Sequence, residues 1–302
     1  VTTVSDVALD RLIGFALREL GEPPVRFVFM ILGSEGRREQ TLKTDQDNAI
    51  VFEDVPDSRV DEVDLGLFLF VDDVCASLNR AGYDFCEGGI MAQNEQWCQP
   101  LSVWKEYFSS WIHAAEAEDL LQSSIFFDFR GAYGEHGFID ELRNDLFESL
   151  AGWSGFFRHL TENALHFKPP LGFFRNFVVE SKGKHRDMFD IKHAMMPVVD
   201  FARIYALHNQ IAETNTLERL LQLQRREVLS EKEYNEIEHA YSFLMQLRFV
   251  RQVTAVLENG GAPDNYINPK KLTDAEQKML KEIFKRIENF QTKLSFDFTD
   301  MP

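Results

Sequence analysis

Two aspartates one residue apart, Asp45 and Asp47, are the side chains of this 302-residue sequence best spaced to do chemistry. In extended backbone, alternate side chains share a face, so the two carboxylates project together at roughly 7 Å spacing. Carboxylates held that close in a cleft repel each other, and a divalent cation relieves the repulsion. Mg2+, or Mn2+ in its place, accepts one or two carboxylates together with phosphate oxygens of a substrate. Gly33-Ser34 precedes Asp45 with ten residues between. A glycine turn lets backbone N–H groups approach a phosphate, a short helix after it aims its positive end there, and the Ser34 hydroxyl donates to the same oxygens. The spacing points to metal-assisted phosphate chemistry.

A strand, Gly-Ser, and then Asp-x-Asp on the next strand resembles the nucleotidyltransferase superfamily with a polymerase-β-type palm. The wider string GSEGRRE at 33–39 followed by TDQD at 44–47 resembles the PII-protein uridylyltransferase and glutamine-synthetase adenylyltransferase branch. Within it, the string is similar to the nucleotidyltransferase-like chains often found downstream of cyclic-nucleotide-binding and CBS regulatory domains. FCEGGIMAQNEQW, FFDFRGAYG, FDIKHAMMPVVDFARIYAL and NTLERL carry the resemblance over most of residues 5–295. It implies an α+β protein, a small mixed-sheet palm followed by a helical bundle, that uses an NTP with Mg2+ or Mn2+. It further implies transfer of an NMP to a hydroxyl of a protein or small-molecule acceptor in a signalling context. The roles carried over are Asp45 and Asp47 as catalytic and metal-binding residues, and Gly33 and Ser34 as nucleotide-binding ones. Regulatory domains upstream are implied as partners and are not in this sequence. A nucleotide-sensing module with little turnover is the alternative, motivated by departures from the pattern. Gln46 and Asn48 stand where apolar residues are common, and no third carboxylate sits in a clear apolar-Asp-apolar setting. Asp84 and Glu87 flank the expected third strand; Glu87 is the expected third metal ligand. Asp128 is expected to pair with Arg130.

Arg37, Arg38 and Lys43 lie between the glycine turn and the acids. A guanidinium fork suits phosphate oxygens, and Arg37, which matches GSxGR, is the expected clamp. Glu39 either orients Arg37 or caps a helix. Residues 168–193 hold six Lys and Arg against three acids, a local reversal of sign. Lys184, Arg186 and Lys192 there are expected to draw a triphosphate toward a cleft between domains. The eight histidines show no i, i+4 zinc pair, and no G-x-S-x-G elbow for a hydrolase exists.

The elements that must position these groups follow from periodicity. Val7 to Leu20 has helical spacing and stops at Gly21-Glu22-Pro23-Pro24. Arg26 to Leu32 reads as a buried strand ending at Gly33, and Asn48 to Phe52 as a second. Residues 61–80 carry the apolar stripe of a buried helix, and Tyr83 to Met91 reads as a third strand weakened by Gly88-Gly89. Residues 101–295 read as successive helices, the last opening with the capping box Thr273-Asp274-Ala275-Glu276. These readings divide the chain into a palm at 1–99 and a bundle at 100–302. The phenylalanines at 126, 127, 129, 156, 157, 173, 174 and 177 are expected in the bundle core.

Composition narrows the partners. With 32 Lys and Arg against 49 Asp and Glu, the formal charge is -17, which disfavours a nucleic-acid partner. Cys75, Cys86 and Cys98 are odd in number and lack C-x2-C spacing, as suits a reducing compartment. No run of about 18 apolar residues is present, and charged residues punctuate the first twenty. The expectation is a cytoplasmic protein with neither a membrane span nor a signal peptide.

Overall fold

The computed structural model describes residues 1–113, 124–172 and 175–299. It forms two compact units, 1–113 with 124–153, and 154–172 with 175–299. The sequence reading divides the chain at 99/100 by element type, whereas compactness divides it at 153/154. The elements between those positions pack on the sheet of the first unit.

That sheet has four strands, β1 (Phe27–Ile31), β2 (Asn48–Phe52), β3 (Cys98–Pro100) and β4 (Arg130–Gly134), in the order β3-β2-β1-β4. β1 is antiparallel to β2 and β4, while β2 and β3 are parallel. Every residue of β1 and β2 is buried, because helices cover both faces. On one face Phe27, Phe29, Ile31, Ile50 and Phe52 pack with Leu9 and Ile13 of α1 (Thr2–Leu20) and with Val63, Leu67, Phe70 and Val74 of α3 (Val60–Arg80). The intervening α2 (Gly33–Gly36) is a single turn. Over the other face run α4 (Leu101–Ile112) and α5 (Gly137–Leu150). There Trp104 donates its Nε1–H to the Ile50 carbonyl at 2.9 Å, and Trp111 stacks on Phe126 with ring centroids 4.8 Å apart.

Three sequence expectations change. Residues 83–91 form no strand; they meet the segment before β2 through an Asp45–Asp84 bridge and β2 itself through the Asn48 N–H bonded to the Ile90 carbonyl, and β3 begins only at Cys98. β4 lies where only helices are expected. Its glycines read as helix breaks, but they answer close approaches: a Cβ on Gly134 would stand 2.2 Å from the Phe27 carbonyl oxygen. Phe126, Phe127 and Phe129 are buried in the first unit rather than in the bundle. Phe156 and Phe157 are buried in the second unit, where Phe177 stacks on Phe189, and positions 173 and 174 fall outside the described residues.

The second unit is helical: α6 (Ser154–Ala164), α7 (Ile191–His208), α8 (Thr216–Arg225), α9 (Glu231–Asn259) and α10 (Asp274–Phe298). A two-stranded ribbon, β5 (Phe189–Asp190) with β6 (Tyr266–Ile267), is added to them. α7 is buried nearly all round, as a central helix must be. α10 opens on the expected capping box, with the Thr273 N–H bonded to Glu276 Oε2 at 2.8 Å and the Glu276 N–H to Thr273 Oγ1 at 3.3 Å. Among the described residues no helix is long and apolar enough to cross a membrane.

The β4 contact makes a test of the sheet. Gly134→Ala combines a φ of +94° with a backbone clash and should cost about 1–3 kcal/mol in urea unfolding. Gly152→Ala, at φ +80° with nothing within 4 Å of the added carbon, should cost only the smaller backbone strain.

Candidate functional site

The last rung of β1 on β2 pairs Ile31 with Asn48, and the Leu32 N–H then bonds to the Asp47 carbonyl at 2.9 Å. This register sets the Gly33 turn beside Asp47. Gly33 has φ +57°, and a Cβ there would lie 2.9 Å from Ile125 Cγ1 and 3.3 Å from Asp47 Oδ2, so a side chain at this turn would be strained and crowded. The bonds of α2 begin with the Gly36 N–H to the Leu32 carbonyl and the Arg37 N–H to Gly33. The amides of Ser34 and Glu35 precede that first bond and belong to the open first turn. Ser34 is half-buried at this bend.

Alternation along 45–48 sorts side chains to opposite sides. Gln46 and Asn48 turn into the fold and hold the neighbouring segment in place. Gln46 Nε2 donates to the carbonyls of Cys75 and Tyr83, each at 3.0 Å, and Asn48 Oδ1 accepts from the Ala92 N–H at 2.8 Å. Their polarity, a departure at the sequence level, thus has a structural task. Asp45 and Asp47 turn the other way, both half-buried. With Cys86 they form a group whose ligand atoms all lie within 4.8 Å of one another. Two carboxylates and a thiol suit a divalent cation as a donor set.

The other expected residues lie as follows. Glu87 is exposed and outside this group, one position beyond Cys86. Asp84 is exposed and pairs with Asp45 through a backbone bridge. Arg37 is 7% exposed, and its guanidinium is committed inward, with Nε donating to Glu39 Oε2 at 2.8 Å and Nη1 to Asp128 Oδ2 at 2.7 Å. Asp128 is fully buried and pairs with Arg37, not with Arg130, whose Nη2 bonds Asp6 Oδ1 at 2.6 Å. The same strut draws the backbones together, since a Cβ on Gly36 would stand 1.9 Å from the Asp128 carbonyl oxygen. Lys184, Arg186 and Lys192 are exposed in the second unit, not in the unit that carries the aspartates. Lys192 stands in the first turn of α7, whose N-cap Asp190 accepts from its N–H at 2.7 Å. A groove of about 410 Å³ in the first unit, lined by Asp64, Leu65, Phe68, Cys98 and Gln99 among others, includes neither aspartate.

Two residues escaped the sequence reading. Cys86 counted only toward the redox compartment, although it adjoins Glu87 and alternation presents just one of the two inward. Glu35 sits inside the motif as an acid between buried glycines, a signal passed over. It is 8% exposed and accepts from Gln40 Nε2 at 3.1 Å. Burial raises its carboxyl to about 7, Arg130 opposes that rise, and Asp6, Asp47 and Asp45 add to it.

Comparison with known families finds a match in each unit. A family model described as Putative nucleotidyltransferase DUF294 matches residues 1–118. A second, described as Putative nucleotidyltransferase substrate binding domain, matches residues 154–298 and so begins where the second compact unit begins. No curated protein matches the chain.

Removing Arg37 should expose the cost of the strut. Arg37→Met removes a cation paired with the buried Asp128 and Glu39 carboxylates and should destabilise by about 3–5 kcal/mol in urea unfolding, and Asp128→Asn in that background should recover part of the loss. Glu35 gives a pH test. A carboxyl at about 7 in the fold, against its ordinary 4.5, binds more protons folded than unfolded between those values. Its contribution therefore falls as pH rises from 4.5 to 7, then levels off. In metal-free buffer, the unfolding free energy of the wild type relative to Glu35→Gln should decline by about 3 kcal/mol across that window.

Proposed function

The chain belongs to the nucleotidyltransferase family described by these two models, and from that premise we propose that it transfers an NMP from an NTP to a hydroxyl acceptor. The single observation that carries the proposal is the convergence of Asp45 and Asp47 beside the Gly33 turn. In this reading Asp45 and Asp47 hold Mg2+ or Mn2+. When bound, the ion neutralises phosphate charge and polarises the reacting oxygens. The chain's own residues do the rest. Gly33 lets the NTP phosphates close on the backbone, and the Ser34 hydroxyl donates to a phosphate oxygen. Arg37, tied to Glu39 and Asp128, fixes the bend that carries Ser34 and contributes to nucleotide binding by holding that bend in place.

The second unit supplies the acceptor side of the proposal, as the description of its family model suggests. Its exposed cations Lys184, Arg186 and Lys192 are candidates for attracting an anionic part of the substrates. A protein hydroxyl as acceptor, a uridylyltransferase-like specificity and a signalling setting belong to the same proposal, on the GSEGRRE and TDQD strings. A cytoplasmic setting rests on three free thiols. One observation favours a nucleotide sensor as the second reading: among the described residues the group at the turn holds two carboxylates, not three.

Asp45→Asn and Asp47→Asn should each lower pyrophosphate release from an NTP by about 100-fold or more, with little change in unfolding midpoint. Full activity in either variant overturns the assignment. Calorimetric binding of an NTP with Mg2+ but no pyrophosphate release from the wild type, with candidate acceptors present, selects the sensor instead.

A further inference from the structure

The side chain that completes the aspartate pair is a thiol. We propose that Cys86 is the third protein ligand of the divalent-cation site, bound as a thiolate, so that the site prefers Mn2+, Co2+ or Zn2+ to Mg2+. The inference rests on the proposed cation site at Asp45 and Asp47 and deepens it.

Backbone geometry delivers Cys86 to that position. The segment is pinned to the strand entry at two points, by the Gln46 N–H to the Asp84 carbonyl at 2.8 Å and by the Asn48 N–H to the Ile90 carbonyl at 3.2 Å. Between the pins the chain turns, with the Gly89 N–H bonded to the Cys86 carbonyl at 3.0 Å and Gly89 at φ +68°. That turn sends Glu87 to solvent and Cys86 toward the aspartates. Gly88 leaves the sulfur room, since even a Cβ there would lie 3.7 Å from Cys86 Sγ.

The donor atoms of Asp45, Asp47 and Cys86 lie within 4.8 Å of one another, and ligands sharing one ion stand roughly 3–4 Å apart, so small side-chain rotations close the set. Sulfur is a soft donor, whereas Mg2+ demands oxygens and gives up its waters reluctantly. On coordination the S–H bond breaks, a sulfur–metal bond forms and the proton leaves to buffer, with no change of oxidation state. Cys75 and Cys98 serve as internal controls: burial pushes both thiols up to about 12, and neither joins the group.

The test is a Co2+ titration of the whole chain under reducing conditions, read by absorption. The expected result is visible ligand-field bands and a near-ultraviolet thiolate-to-cobalt charge-transfer band that saturate together, with about one proton released per ion. Cys86→Ser should keep the ligand-field bands, lose the charge-transfer band and lower the Mn2+-over-Mg2+ preference at least about tenfold in competition. Cys86→Asp should move the preference toward Mg2+. Ligand-field bands that vanish in Asp45→Asn with Asp47→Asn, but come with no charge-transfer band in the wild type, overturn the role of Cys86 and leave the cation site standing. A charge-transfer band that survives Cys86→Ser overturns it too. No Co2+ binding with or without an NTP overturns the cation site and the thiol ligand together.

Discussion

The register of β1 on β2 is the constraint from which the site follows. Ile31 opposite Asn48 brings the Gly33 bend beside Asp47, and both faces of the pair are apolar and buried. Side chains alternate with a period of two, so a slip of one residue would turn Asp45 and Asp47 into the fold and Gln46 and Asn48 outward. The interior resists that slip on both faces, through Phe29 and Ile50 under α1 and α3, and through the Trp104 bond to the Ile50 carbonyl. Core packing and site geometry are thus one specification.

The charged residues of the motif divide into two sets with different tasks. Arg37 pairs with both Glu39 and Asp128 inside the unit and joins the bend to the backbone ahead of β4. Buried charges persist when paired in this way, and the two segments approach closely here, Gly36 against the Asp128 carbonyl. Asp45 and Asp47 are half-buried beside the same bend. An arginine that reads as a phosphate ligand in the linear string is in the fold a strut beside the Gly33 turn, bonded to Glu39 and Asp128.

The parts legible in the sequence were those set by local pattern. The apolar runs ending at Leu32 and Phe52, the helix over 61–80 and the Thr273 capping box each carry their signal in local sequence. The aspartate pair was legible because strand alternation is local. β4 was hidden because its Gly131 and Gly134 have low strand propensity and are explained only by the strand they touch. Residues 83–91 read as a strand because their apolar positions are real, yet the Gly88-Gly89 turn lets them pair at single points. The partner of Asp128 and the inward turn of Cys86 depend on contacts 91 and about 40 residues away, which no window of sequence contains.

Gathering acids at one bend has an energetic consequence for the fold itself. Asp45, Asp47 and Asp6 all act on the Glu35 carboxyl, whose own burial adds the largest share of its rise to about 7. Holding these groups together opposes folding, and the apolar burial of β1 and β2 offsets that cost. A cation that binds only the assembled group relieves the repulsion and stabilises the fold in proportion to the logarithm of its saturation ratio. The same acidic bend that would hold a metal therefore makes the stability of the first unit responsive to it, which ties the energetics of the sheet to the occupancy of the site.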